Sequence, residues 1–172
     1  MTVFFLVSYL RQYRPDNALF YLVSKYEDQT FVIVRRIKAD DCYIALIVSP
    51  EEHREIEFYV AAKKEGKLPP LKLTFTDNYI QTLRDIVCKQ EFNDVVYEIE
   101  SPDGVDAISE EIAENVKHIW FLIRSRYEVN FSYRSCPLYI QVKYQDITKT
   151  VAITSREKNE ITDVLIKEFN IN

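Results

Sequence analysis

Glycine is nearly absent from this sequence: only Gly66 and Gly104 occur among 172 residues, and they lie far apart in the chain. Phosphate-binding P-loops, dinucleotide-binding fingerprints, kinase glycine-rich loops and the G-x-S-x-G nucleophile elbow each need at least two closely spaced glycines. The backbone at those sites must approach a phosphate or adopt a positive φ. The sequence therefore excludes these four classes in their usual form.

Cysteine and histidine are also scarce. Cys42, Cys88 and Cys136 are widely spaced and form no C-x-x-C pair, which argues against a disulfide framework and a structural zinc site. His53 and His118 occur without an H-x-x-x-H or H-x-E pattern. We therefore expect no metal, no cofactor and no catalytic residue of these types. A Cys–His nucleophile pair stays open, because such partners meet only in the fold.

Long apolar runs are missing as well. No run approaches the roughly 20 residues that a helix needs to span a bilayer. The opening run Val3–Leu10 is short and lacks a basic region before it, which predicts a buried strand rather than a signal peptide. We expect an intracellular protein, cytoplasmic or nuclear, with no membrane partner.

Apolar and aromatic residues are abundant: the hydrophobic fraction is 47%, with 12 Tyr and 10 Phe. This supply is enough for a packed interior in a chain of this length. It predicts a single domain over residues 1–172, or two lobes, a β-rich lobe at 1–76 and an α/β lobe at 77–172.

The first 76 residues are typical of successive strands separated by short polar turns. The predicted strands are Ala18–Lys25, Thr30–Ile37, Cys42–Ser49, Glu55–Val60 and Leu71–Thr76. The last two alternate apolar and polar residues, the pattern of an antiparallel sheet with one solvated face.

The second half mixes helical and strand patterns. One helix is predicted after an N-cap at Asp77, a long one over Asp106–Tyr127, and a third from the capping box Thr154-x-x-Glu157. The apolar stripe of the long helix is Ile108, Ile112, Val116, Ile119, Ile123 and Tyr127, with Trp120 beside it. Predicted strands are Val95–Glu100, Val129–Arg134, Leu138–Tyr144 and Lys149–Thr154. The expected fold is α+β, an N-terminal antiparallel β-meander packed with a mixed α/β C-terminal half of about three helices.

Acidic residues give the best argument for an enzyme. The candidates are Asp40, Asp41, Glu55 and Glu57, together with the E-x-K element Glu65-Gly66-Lys67. Metal-dependent nucleases gather carboxylates and a lysine in this way, because Mg²⁺ prefers oxygen ligands and the attacking water needs a base. The alternation instead places Glu55 and Glu57 on a solvated sheet face, so a nuclease is the third hypothesis.

Charge is unevenly distributed along the chain. Residues 77–116 hold eleven acids and two bases, whereas residues 117–158 hold eight bases and three acids. Acids at the start of the long helix and bases at its end complement the helix dipole. That effect does not account for Arg134, Lys143 and Lys149, which lie on predicted strands. Pairing between the two segments, or a plain solvated surface, stays open as an interpretation.

The functional interpretation is a basic face that binds a partner. We expect the partner-binding residues to be Arg124, Arg126, Arg134 and Lys143, interleaved with Tyr127, Tyr133, Tyr139 and Tyr144. The leading hypothesis is a non-enzymatic protein-interaction or assembly module that binds another protein or itself. The alternative is a nucleic-acid-binding module that uses the basic, Tyr-rich region 117–158, which the sequence pI of about 5.2 weakens. Neither hypothesis requires a small-molecule cofactor.

Overall fold

The computed structural model describes residues 16–38, 44–65, 72–92, 95–130 and 136–171. These residues form an α+β fold with four helices and seven strands. The helices are α1 (Asp16–Lys25), α2 (Tyr79–Glu91), α3 (Val105–Tyr127) and α4 (Lys158–Phe169). The strands are β1 (Phe31–Arg36), β2 (Ile44–Pro50), β3 (Phe58–Glu65), β4 (Lys72–Asp77), β5 (Val96–Ile99), β6 (Leu138–Tyr144) and β7 (Ile147–Ile153). The chain divides into two compact units, and the boundary falls between Thr82 and Leu83, inside α2.

The first unit contains an antiparallel meander in the order β1-β2-β3-β4, as the sequence predicts. Its core is aromatic. The rings of Phe58 and Tyr79 stack at 4.5 Å between centroids, and Phe31 meets both rings edge-on. Such offset and edge-to-face pairs add to the stability that the buried area supplies.

Helix α1 corrects the prediction of a strand over Ala18–Lys25. The segment is a continuous apolar run, and such a run does not distinguish a strand from a helix by its period. Ala18, Leu22 and Tyr26 recur every four residues and are all buried, whereas Phe20 is 75% exposed. The helix is therefore amphipathic, and the described residues contain four helices rather than about three.

The second unit has a three-stranded mixed sheet in the order β5-β6-β7. Strand β5 runs parallel to β6, and β7 returns antiparallel to it after the turn at Gln145. Alternate β6 residues Leu138, Ile140 and Val142 are buried. The buried stripe predicted for the long helix is confirmed: α3 buries Ile112, Val116, Ile119, Trp120, Ile123 and Tyr127, while Ile108 is half-buried.

Two predicted helix caps differ from the structure. The first backbone hydrogen bond of α2 runs from Thr82 N to Asn78 O, so Asn78 is the N-cap. Asp77, one residue earlier, accepts from Tyr79 N at 3.1 Å. The capping box at Thr154 is wrong, because α4 starts from Glu157 without a side-chain cap bond. Strand β3 also begins later than predicted, at Phe58, and residues 129 and 130 are not in a strand. The rest of Val129–Arg134 lies outside the described residues.

Candidate functional site

Two of the predicted partner-binding residues are paired with acids of the same unit. Arg126 binds Glu91 Oε1 at 2.5 Å and Gln90 Oε1 at 3.1 Å. Lys143 on β6 binds Glu98 Oε1 on β5 at 2.5 Å. Arg124 is exposed in the last turn of α3. The fourth residue, Arg134, lies outside the described residues.

Other bases of region 117–158 are paired in the same way. Lys158 Nζ lies 2.9 Å from Asp106 Oδ2 and 3.8 Å from Glu110 Oε2. Lys117 Nζ lies 2.6 Å from Glu114 Oε1, one helical turn away. Each of these contacts joins a base of the basic segment to an acid of the acidic segment. The uneven charge along the chain is therefore partly compensated by contacts within the second unit.

Lys149 contacts the last helix, a contact that the charge argument from the sequence did not consider. Its Nζ donates to the backbone carbonyl of Glu168 and lies 5.2 Å from the centroid of the Phe169 ring. Both residues belong to the last turn of α4, where backbone carbonyls have no partner within the helix. Lys149 on β7 thus caps the C-terminus of α4, and its charge is accounted for by a helix end after all.

The interleaved tyrosines lie in different environments. Tyr127 is buried, and Tyr144 is half-buried with its ring edge-on to Phe169. Tyr139 is 59% exposed, and Tyr133 lies outside the described residues. A single aromatic face is therefore not formed by these residues.

Tyr139 instead belongs to the solvent-facing side of the second sheet, which we call the outer face. The register of the strands places the following side chains on it: Val96, Glu98, Tyr139, Gln141, Lys143, Thr148, Thr150 and Ala152. Apart from the ion pair of Lys143 and Glu98, these side chains are neutral. The outer face has only one ion pair among these described side chains, and it carries the exposed apolar residues Val96 and Tyr139.

Two carboxylates of the nuclease hypothesis, Glu55 and Glu57, lie near basic side chains. His53 Nδ1 lies 3.4 Å from Glu55 Oε1, and Arg35 lies 3.6 Å from Glu57 Oε2. The other members of that set, Asp40, Asp41 and the side chains of Glu65-Gly66-Lys67, lie outside the described residues. Within the described ranges, no group of three His, Cys, Asp or Glu side chains could hold a metal ion.

The most connected polar cluster of the described residues centres on Asp77, at the end of β4. Its Oδ2 accepts from Lys25 Nζ at 2.6 Å and from the Tyr21 hydroxyl at 2.7 Å. Its Oδ1 accepts from the Tyr26 hydroxyl at 2.7 Å and from Tyr79 N. The Asp77 side chain is only 1% exposed, so this carboxylate is a buried charge held by four donors.

Electrostatics fix the protonation states of this cluster. Burial alone raises the pKa of Asp77, but the hydrogen bonds from Lys25, Tyr26 and Tyr21 outweigh burial and lower the pKa below its ordinary value. Burial, reinforced by the bond to Asp77, raises the pKa of Tyr26 and of Tyr21. At neutral pH, Asp77 and Lys25 are charged and both tyrosines are neutral. A carboxylate with four donors has little capacity left to act as a base, so the cluster ties α1 to β4 rather than performing chemistry.

Sequence reasoning missed this cluster because α1 was predicted as a strand. On a helix, Tyr21 and Lys25 are one turn apart and share a face. That spacing was the available signal, but nothing local indicates that the face meets Asp77, more than fifty residues later.

A second buried polar group is Arg84, on α2. Its Nη1 donates to the Pro137 carbonyl at 2.5 Å and to Cys136 Sγ at 3.5 Å, and its Nε and Nη2 bind Asp85. The guanidinium also lies 5.7 Å from the centroid of the Tyr139 ring. Arg84 therefore fixes the start of β6 against α2.

No known protein family, curated protein or solved structure matches this chain. Within the ranges that the structure describes, no helix is both long enough and apolar enough to cross a membrane.

Proposed function

We propose that this protein is a non-enzymatic interaction module that associates with a second copy of itself through the outer face of the β5-β6-β7 sheet. The observation that carries the proposal is the exposure of Val96 (50%) and Tyr139 (59%) on a sheet face with little net charge. Interfaces are enriched in tyrosine, and exposed apolar patches mark contact sites.

The ion pair on the outer face favours a symmetric contact. Glu98 and Lys143 are register partners on adjacent strands. In a two-fold contact centred near this pair, Lys143 of one copy faces Glu98 of the second copy, and the reverse contact is made at the same time. The surface is thus self-complementary in charge as well as exposed.

The chemistry of the described residues favours binding over catalysis. Asp77 is saturated by donors, and Glu55 and Glu57 are paired with bases. Burial raises the pKa of Cys88 to about 11, so that this thiol is protonated at neutral pH and is a poor nucleophile.

Size-exclusion chromatography with light scattering, over a range of protein concentrations, tests the proposal. We expect a concentration-dependent dimer that Tyr139→Ser weakens. The matched control is Phe121→Ser, which removes an equally exposed aromatic ring (64%) from α3. A protein that stays monomeric at every concentration, or a dimer that Phe121→Ser weakens and Tyr139→Ser does not, would refute the outer face as the interface.

Charge reversal on the outer face provides a second test of the proposed dimer. Lys143→Glu should weaken the dimer by placing two carboxylates side by side, and the exchange Lys143→Glu with Glu98→Lys should restore it. The nucleic-acid hypothesis is tested in the same experiment by adding a single-stranded oligonucleotide. Salt-sensitive binding that is lost in Arg124→Glu and Arg126→Glu, without any dimer, would replace our proposal with that alternative.

A further inference from the structure

A cavity of about 200 Å³ lies beside the start of β6. The pairing of β5 with β6 begins at Val96 and Gln141, so residues 138 to 140 of β6 run beyond the described start of β5. The cavity lies where β6 extends beyond the described start of β5. Its other walls come from Cys88 on α2 and Ile119 on α3.

The volume of the cavity limits the size of the ligand that it can bind. An apolar cavity of about 150 Å³ is enough to bind benzene, whereas pockets for drug-sized ligands begin at about 300 Å³. A space of about 200 Å³ therefore fits one six-membered ring with one or two substituents. It is too small for a nucleotide or a dinucleotide.

The described lining residues favour an uncharged ligand. Phe92, Val95, Ile119 and Ile140 are apolar, and the described lining residues include no Asp, Glu, Lys or Arg. Burial keeps the pKa of the Cys88 thiol at about 11, so the thiol carries no charge at neutral pH. A charged ligand would find no charged side chain among the described lining residues to replace its hydration.

One hydrogen-bonding group lies at the rim. Gln141 Nε2 donates to Thr150 Oγ1 at 2.7 Å, and its Oε1 accepts no hydrogen bond from the residues that the structure describes. This oxygen offers an acceptor to a ligand hydroxyl. The ring of Tyr139, a neighbouring lining residue, lies 5.7 Å from the Arg84 guanidinium, which itself donates to the Pro137 carbonyl.

We propose that this cavity binds one free, neutral phenol-sized molecule, with its ring between Cys88, Ile119 and Ile140 and its hydroxyl donating to Gln141 Oε1. This function goes beyond the interaction function proposed above, because it needs neither a second copy nor the ion pair of the outer face; the two sites share Tyr139 and Gln141.

Methyl NMR of the full chain with p-cresol as the probe tests the proposal. We expect saturable shifts of the Ile119, Leu138 and Ile140 methyls at millimolar p-cresol, with Ile161 and Leu165 unmoved. The carboxylate analogue 4-methylbenzoate should bind at least tenfold more weakly. Absence of shifts with p-cresol, or equal affinity for the two probes, would overturn the proposal.

Matched substitutions locate the site. Val95→Phe fills the cavity from a lining position, and Val96→Phe makes the same change one residue later, outside the lining. Val95→Phe should weaken p-cresol binding at least tenfold and Val96→Phe should not; equal effects would overturn the assignment. Cys88→Met fills the opposite wall and serves as the second variant if Val95→Phe does not fold. If acetyl-Gly-Tyr-Gly-amide binds more tightly than p-cresol, the cavity accepts a tyrosine side chain of a partner protein. The proposal of a free small-molecule ligand is then wrong.

Discussion

Lys25 and Asp77 form a buried ion pair, with Nζ and Oδ2 2.6 Å apart, in which only the lysine reaches solvent. The Asp77 side chain is 1% exposed and that of Lys25 is 44% exposed. The desolvation of Asp77 is offset by Tyr21, Tyr26 and the backbone of Tyr79, which donate to the same carboxylate. This arrangement joins α1 to the end of β4 across a sequence separation of 52 residues.

Replacing Asp77 should therefore be costly. Asp77→Asn removes the charge while keeping the shape, and it leaves Lys25 and two tyrosine hydroxyls with a poorer acceptor. Because Lys25 is half-exposed, we expect the cost of weakened hydrogen bonds to a charged group, about 1.5–3 kcal/mol of the free energy of unfolding, rather than that of a fully buried pair. Urea unfolding followed by circular dichroism measures the cost. The control is Glu27→Gln at an exposed nearby position, where a change within about 0.5 kcal/mol is expected. Equal effects of the two variants would contradict the structural role of Asp77.

The same carboxylate predicts a dependence of stability on pH. The pKa of Asp77 is lower in the folded protein than its ordinary value of 3.8. Its stabilisation is therefore complete above the unfolded pKa and is lost as the pH falls through the folded pKa. The difference in melting temperature between wild type and Asp77→Asn should be constant near pH 6 and should shrink below about pH 4. A difference that stays constant down to pH 2 would show that the carboxylate gains nothing from its donors.

The Tyr26 hydroxyl predicts that the stability of the protein falls as the pH rises into the alkaline range. Burial and the bond to Asp77 raise the pKa of Tyr26 above its ordinary value of 10.0. Its contribution is complete below the unfolded pKa and is lost as the pH rises beyond it. Wild type should lose stability above about pH 10, and Tyr26→Phe should lose less over the same range. Parallel melting curves for the two proteins between pH 9 and pH 11 would contradict this prediction.

Helix α3 offers a test of the second core. Ile123 is fully buried, whereas Phe121, two residues earlier, is 64% exposed. Ile123→Ala should cost about 2–5 kcal/mol because it leaves a cavity. Phe121→Ala should change the free energy of unfolding by less than about 0.5 kcal/mol. Fluorescence of Trp120, the single tryptophan of the chain, follows unfolding of this unit. A small change in the free energy of unfolding for Ile123→Ala would show that the apolar stripe of α3 does not face the core. Ile119→Ala, at another buried position of the same stripe, should also cost about 2–5 kcal/mol.

Two arginines should differ in the same assay. Arg84 is buried, and it binds the Pro137 carbonyl and Asp85, whereas Arg126 pairs with Glu91 at the surface. Arg84→Met should cost about 1.5–3 kcal/mol, the usual value of a hydrogen bond to a charged group. Arg126→Met should cost about 1 kcal/mol or less, because exposed ion pairs contribute little. A larger cost at Arg126 would indicate that α2 is held to α3 mainly through its surface pair.

The strongly periodic elements could be predicted from the sequence. The stripe of α3 and the alternation within β6 and β7 are local patterns, and the structure follows them. Segment 18–25 was predicted wrongly because an unbroken apolar run carries no period, so its conformation depends on what it packs against. Its buried face is completed by Tyr26 at its end and meets the sheet of the first unit.

The predicted partner surface shows the same limit. The sequence gives the number and order of charges, but it does not state that Glu98 lies beside Lys143 or that Lys149 reaches the end of α4. These contacts join segments that are far apart in the chain, so no local sequence pattern predicts them. The outer face and the cavity likewise depend on the parallel register of β5 with β6.

The sequence by itself determined the α+β class, the antiparallel meander and the buried stripe of α3, because short-range periodicity fixes which face of an element is apolar. Only the tertiary contacts show that α1 is a helix, that Asp77 is a buried charge, and that Arg126, Lys143 and Lys158 are paired with acids. The physical reason is that burial and ion pairing depend on distances between residues remote in the chain, which local pattern does not encode.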